Sequence, residues 1–187
     1  MRKLKLQVQM SLDGFVARPD GQGDWIFITG PDEAGFQKVI ELAESCDTIL
    51  LGRKMIPEFT NHWENIVDNQ PNSPQQPLAQ LMVNMHKIVF SHTKTDFKAR
   101  NLEVENGDLA TAVQELKKQQ GKDIIVYGGA GFVSSLISLN LIDEYYIFRC
   151  PIAIGSGLSI FKEDKLMKLE STTAYGSGKV LNKYLPV

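Results

Sequence analysis

The chain has 187 residues, 43% of them hydrophobic and 22% charged, with 20 Lys and Arg against 22 Asp and Glu for a net charge of −2. That length suits one domain with a core needing no staples, and the ordinary composition excludes a disordered, collagen-like or disulfide-framework chain. The charge balance offers no bulk grip on duplex DNA, and no apolar run approaches the length of a membrane span.

Leu4, Leu6, Val8 and Met10 alternate with Lys5, Gln7 and Gln9, a period of two that predicts a first strand. The basic start is interrupted by these polar residues, so it does not read as a signal peptide, and a cytoplasmic location is expected. SLDGFVARPDGQGDW follows as a long loop with glycines at 14, 21 and 23. Pro31-Asp32-Glu33 reads as a helix start, and Phe36, Val39, Ile40 and Ala43 carry the helical spacing. Thr48 to Leu51 is a buried strand, and Gly52-Arg53-Lys54 opens another helical turn. Residues 65–77, with three prolines and three asparagines, read as a surface insertion. A short helix is expected over Pro77 to Met85, a strand over Lys87 to Phe90 and a short strand around Leu102 and Val104. Leu109, Ala112, Val113 and Leu116 define an amphipathic helix stopped by Gly121. Asp123 to Tyr127 is a strand feeding a glycine turn and a helix through Leu139, and Glu144 to Cys150 is a further strand. Lys168 to Tyr175 and Lys179 to Leu185 read as a terminal hairpin. Strands alternating with helices predict an α/β fold with a mixed, mostly parallel central sheet, the hairpin adding antiparallel strands. The two cysteines, Cys46 and Cys150, sit in apolar runs and are expected as buried thiols.

In such sheets ligands bind at the carboxyl ends of the strands. Three strand ends here carry suitable groups. Gly52-Arg53-Lys54 combines close backbone approach with two cations. Ser91-His92-Thr93 supplies hydroxyls and an imidazole. Tyr127-Gly128-Gly129-Ala130-Gly131-Phe132 joins a strand to a helix N-terminus through glycines, an arrangement that lets helix amides meet a pyrophosphate. Each also has an ordinary reading, as a basic helix start, a polar turn or a tight turn; their coincidence at strand ends favours one nucleotide site. Tyr175 and Lys179 have the Y-x-x-x-K spacing of short-chain dehydrogenases, but Gly176-Ser177-Gly178 between them favours a turn over the helix that pair needs. Gly178-Lys179 lacks the remainder of a P-loop, His62, His86 and His92 lack metal-site spacing, and no G-x-S-x-G is present.

The order SLDGFVA, ILLGRKM, VFSHT, IIVYGGAGFVSSLI and PIAIGSGLSIF resembles the dihydrofolate reductase-like superfamily. It is most similar to the branch containing the C-terminal reductase domain of the bifunctional riboflavin-biosynthesis deaminase-reductase, over nearly the whole chain, 1–187, as one domain. The resemblance implies a three-layer fold that binds NADPH across the strand ends. Gly52, Arg53 and Lys54 would lie near the adenosine phosphate and pyrophosphate, and Ser91, His92 and Thr93 near the 2′-phosphate. Tyr127, Gly128, Gly129, Ala130, Gly131 and Phe132 would wrap the pyrophosphate. Asp13 and Gly14, with Gly155, Ser156 and Gly157, would border nicotinamide and substrate. The resemblance also implies a homodimer. Val133 stands where a tyrosine usually follows the glycine pair, which departs from the folate enzymes, and no deaminase-type zinc motif is present.

The function expected is NADPH-dependent hydride transfer to a C=N or C=O of a small heterocyclic, pterin- or riboflavin-precursor-like substrate. Asp13 or Asp32 is the candidate proton route, with a helix cap as the alternative for Asp32. Trp25 is a candidate to stack on a flat ring, or a core residue. Two other readings stay open: a nucleotide-binding regulatory or vestigial module without turnover, and a partner-binding domain whose glycines serve turns only.

Overall fold

The computed structural model describes residues 1–93 and 96–187. An eight-stranded sheet is built from β1 (Leu4–Met10), β2 (Cys46–Gly52), β3 (His86–Phe90), β4 (Leu102–Glu105), β5 (Asp123–Val126), β6 (Glu144–Arg149), β7 (Met167–Ala174) and β8 (Val180–Pro186). Their order is β4-β3-β2-β5-β1-β6-β8-β7. The first six in that order pair in parallel, and β8 runs antiparallel to both β6 and β7. The helices are α1 (Glu33–Glu44), α2 (Ile56–Asn69), α3 (Gln76–Asn84), α4 (Leu109–Lys118) and α5 (Ala130–Ser138). None of the described helices is long and apolar enough to cross a membrane.

The period-two pattern of β1 sorts its side chains between two layers. Leu4, Leu6, Val8 and Met10 join Val113 of α4 and Val133, Leu136 and Ile137 of α5 in one apolar cluster. On the other face Ile49, Leu51, Val89, Ile125 and Phe148 pack with Ile40 of α1, Phe59 of α2 and Met82 of α3. The result is three layers, helix–sheet–helix, with the central strands buried on both sides. Lys5, Gln7 and Gln9 therefore point toward the α1–α3 layer. Lys5 is held there by Asp123 Oδ2 at 2.8 Å and Ser45 Oγ at 2.9 Å. Both cysteines are free and buried.

One expected boundary is wrong. The predicted insertion at 65–77 is helical through Asn69, and only 70–75 lies between helices. Phe59, Trp63 and Ile66 recur every three to four residues on α2, and the first and last of them are buried. That stripe outweighs the low helix propensity of the intervening asparagines. Gly52-Arg53-Lys54 leads into a 3-10 turn, Arg53–Met55, which runs directly into α2 with Pro57 in its first turn. A proline is tolerated there because the missing amide has no intrahelical partner anyway.

Candidate functional site

Because β1, β2, β3, β5 and β6 are parallel, their carboxyl ends share one edge of the sheet. The three segments singled out at strand ends are thus brought together. Gly52 ends β2, and a Cβ built on it would lie 2.8 Å from Cβ of Phe132. Glycine is what lets the first turn of α5 approach that strand end. Phe132 is held by stacking on Phe90 at 5.4 Å between centroids. Arg53 is exposed and donates from Nη1 to Thr93 Oγ1 at 3.2 Å, linking the ends of β2 and β3. His92 donates from Nδ1 to the carbonyl of Asn106 at 3.0 Å. Ser91 is buried.

Gly129 is the N-cap of α5, and no side chain caps that helix. The first amides of a helix have no intrahelical acceptor and carry its positive end. Open space surrounds the position of a Cβ on Gly131 in the same turn. Among the described residues, neither Arg53 nor Lys54 has a carboxylate partner. Uncapped amides, two uncompensated cations and a hydroxyl on one edge fit a phosphate-bearing cofactor. A separate groove of ≈ 430 Å³ between β3, β4 and α4 is lined by Glu103, Glu105, Asp108 and Glu115, the wrong charge for such a ligand.

Tyr127 departs from expectation. Its ring stacks on Phe59 at 6.3 Å, and its hydroxyl is buried without a hydrogen-bond partner among the described residues. Burial pushes the phenol far above its usual range. The side chain serves the α1–α3 core, and only its backbone belongs to the glycine turn.

At the other end of the edge, the segment after β1 turns at Gly14, whose φ of +90° is in the left-handed region glycine tolerates. Asp13 accepts from Ser11 Oγ at 2.6 Å and from the amides of Gly155 at 2.7 Å and Ile154 at 3.1 Å. These donors, Ser11 foremost, hold its carboxyl below the usual carboxylate range. Asp13 is thereby an ionised brace between the loops after β1 and β6. Ala17 and Leu158 form a two-residue bridge that continues the same junction. Gly157 packs beneath it against Phe15 and the Ala17 carbonyl, and Ser156 is exposed. Arg149 completes the brace, donating from Nη1 to the Leu12 carbonyl at 2.9 Å.

Asp32 is the N-cap of α1. It accepts from the Gly35 amide at 2.9 Å and from Ser177 Oγ, in the β7–β8 turn, at 2.8 Å. The capping alternative is the one its geometry shows. Trp25, in a 3-10 turn over Asp24–Phe27, is completely buried, so its ring has no open face for a substrate. Two features escaped sequence reasoning. Phe132 sets the distance between β2 and α5, and the β7–β8 turn reaches back to Asp32. The Gly52–Phe132 contact spans 80 positions and leaves no periodic trace, whereas the glycine turn between Tyr175 and Lys179 was visible but had no assigned neighbour.

Sheet order, layering and the glycine-lined edge define a dihydrofolate reductase-like fold. The sequence model of the RibD C-terminal domain matches residues 2–181, and the chain belongs to that family. It is 32% identical over 182 residues to the uncharacterized protein YyaP of Bacillus subtilis (strain 168), covering 96% of this chain and 92% of that one. Among solved structures it is similar to RibD from Acinetobacter baumannii, with a TM-score of 0.73 and 18% identity over 100% of this chain and 58% of that one. It is also similar to dihydrofolate reductase from Enterococcus faecalis complexed with NADP(H), with a TM-score of 0.65 and 13% identity over 98% of this chain and 96% of that one.

Proposed function

We propose that the protein is an NADPH-dependent reductase acting on a C=O or C=N of a small heterocyclic substrate. The observation that carries this reading is the pairing of an uncapped α5 N-terminus with Arg53 and Lys54, cations without carboxylate partners among the described residues, on one edge of a parallel sheet. Gly128 to Gly131 would hold the pyrophosphate on backbone amides. Arg53, with Thr93 beside it, would hold the 2′-phosphate through a charge-assisted contact. The bound cofactor supplies the hydride; the protein orients, excludes water and manages protons. The brace around Asp13 and Gly155 would shape the substrate end.

Titration with each nucleotide tests the reading. Wild-type protein is expected to bind NADPH at sub-millimolar concentration. Arg53→Ala is expected to raise the Kd for NADPH roughly tenfold or more, as loss of one charge-assisted phosphate contact implies, and that for NADH by less than ~3-fold. Equal losses would remove Arg53 from the 2′-phosphate, and absence of saturable binding would overturn the function.

The proposed assembly is a homodimer. β7 occupies the sheet's outer edge, nearly all of its residues are exposed, and Leu169 on it and Leu166 just before it are open to solvent. Light scattering on a sizing column is expected to show twice the 20.9 kDa chain mass, shifted toward the monomer by Leu169→Lys. A single-chain mass for the wild type would sink the dimer.

A further inference from the structure

Four charged side chains gather around the substrate end of the edge, and three are committed to the fold. Asp13 braces two loops, Arg149 donates to backbone carbonyls, and Asp32 caps α1 while holding Ser177. The fourth is Lys179. It is half-buried, and among the described residues its ammonium has no hydrogen-bond or ion-pair partner.

Strand register places it. Arg149 of β6 pairs with Met10 of β1 on one side and with Val180 of β8 on the other. One step further toward the edge, Cys150 is flanked by Ser11 and Lys179. Side chains alternate across the sheet, so Gln9, Cys150 and Lys179 share the face that carries α1, on three neighbouring strands. The Cys150 thiol donates to Gln9 Oε1 at 3.4 Å, which orients that carboxamide and leaves its Nε2 hydrogens to be shared. Burial pushes the thiol's pKa up, the Lys179 charge draws it down and the Asp32 charge raises it, so both ions are within electrostatic reach of the thiol. The row is thus polar, ends on an ammonium without a partner among the described residues, and is located where the loops after β1 and β6 meet.

The geometry points to Lys179 as the proton donor of the reduction, acting on a carbonyl or imine oriented by Gln9. This rests on the reductase reading above. When hydride from the nicotinamide forms the new C–H bond, the π pair of the C=O or C=N bond collects on oxygen or nitrogen. The Nζ–H bond of Lys179 breaks and the O–H or N–H bond forms. The neutral amine then regains a proton from solvent. An alkoxide is more basic than an amine, so the transfer is downhill. The Y-x-x-x-K pattern is met here on a hairpin instead of a helix: Tyr175 stacks on Phe148 at 6.1 Å, and the register carries Lys179 beside Cys150.

Two measurements on the NADP(H)-loaded protein test the assignment, with p-nitrobenzaldehyde as the probe. In the first, cyanoborohydride traps lysine–aldehyde adducts and peptide mass spectrometry locates them. Lys179 is expected to react at least ~5-fold faster than the far more exposed Lys118, because a bound carbonyl is held at its amine. In the second, NADPH oxidation is followed with the same aldehyde. Lys179→Met is expected to lower kcat roughly 100-fold with KM and NADPH affinity nearly unchanged, and Lys179→Arg to recover part of the loss. A Lys179→Met enzyme within ~3-fold of wild type, or no preferential labelling, overturns the assignment while leaving the reductase standing. If wild type binds NADPH without reducing this aldehyde, labelling alone decides. Failure to bind NADPH instead removes the reductase reading.

Discussion

Gly157→Val is expected to lower stability by about 3 kcal/mol and the Tm by roughly 6–12 °C, the cost of overpacking at a site where backbone must move. A Cβ at this position would lie 2.8 Å from Cβ of Phe15 and closer still to the carbonyl oxygen of Ala17. Neither neighbour is the free end of a flexible side chain. Phe15 is fixed by its amide, which donates to Ser11 Oγ at 2.9 Å, and Ala17 accepts from the Leu158 amide at 2.8 Å. The two loops must separate, and with them the bridge and the Asp13 brace. The substitution therefore also tests whether the loops after β1 and β6 form one unit: local opening should appear as loss of amide-exchange protection at Val16 and Leu158 before global unfolding. A thermal scan within 1–2 °C of wild type would show that this junction yields without cost.

Lys87→Met is expected to cost a similar amount, about 3 kcal/mol, read as a lower midpoint in urea. Lys87 is 2% exposed, and its ammonium donates to the carbonyls of Met82 at 3.0 Å, Val83 at 2.9 Å and Met85 at 2.9 Å. It closes the C-terminal end of α3, whose last carbonyls have no helical donors. Methionine fills the same volume and supplies none of the three hydrogen bonds, leaving buried acceptors unsatisfied. The pH dependence has a definite sign. Burial pushes the Lys87 pKa down from 10.5 to about 8, so between those values the unfolded chain binds the proton that the folded chain has released. Through this group, wild-type stability rises as pH climbs from about 8 and is flat below. The Met variant lacks that rise, so the gap between the two proteins should be wider at pH 9.5 than at pH 7. A constant or shrinking gap would mean that the three carbonyls hold the ammonium charged throughout.

The sequence made the element order legible because burial imprints a period: β1 as alternation, α4 as a stripe, β5 as an unbroken apolar run. It failed at 65–77 because asparagine and proline counts reported the solvent face of α2, while the stripe of Phe59, Trp63 and Ile66 that decides the matter was missed. Glycine turns at strand ends were legible for a backbone reason, since Gly52 and Gly129 are where side chains would obstruct or cap. The acid residues were legible as residue types but not as roles. Asp13 and Asp32 were both candidate proton routes, and what distinguishes each is which backbone amides face it.

The opening composition described an ordinary near-neutral domain, and the sequence alone determined that its strands and helices alternate and that cations and glycines follow particular strands. Only the tertiary structure decided what those groups meet. Parallel pairing puts six strand ends on one edge, so Arg53 reaches Thr93 across 40 positions and Ser177 reaches Asp32 across 145. Among the described residues it left the Lys179 ammonium without a partner, and it turned Trp25 and Tyr127 into the core. The physical reason is that secondary structure follows from local periodicity, whereas the charge and hydrogen-bond balance of a site depends on contacts between segments far apart in the chain.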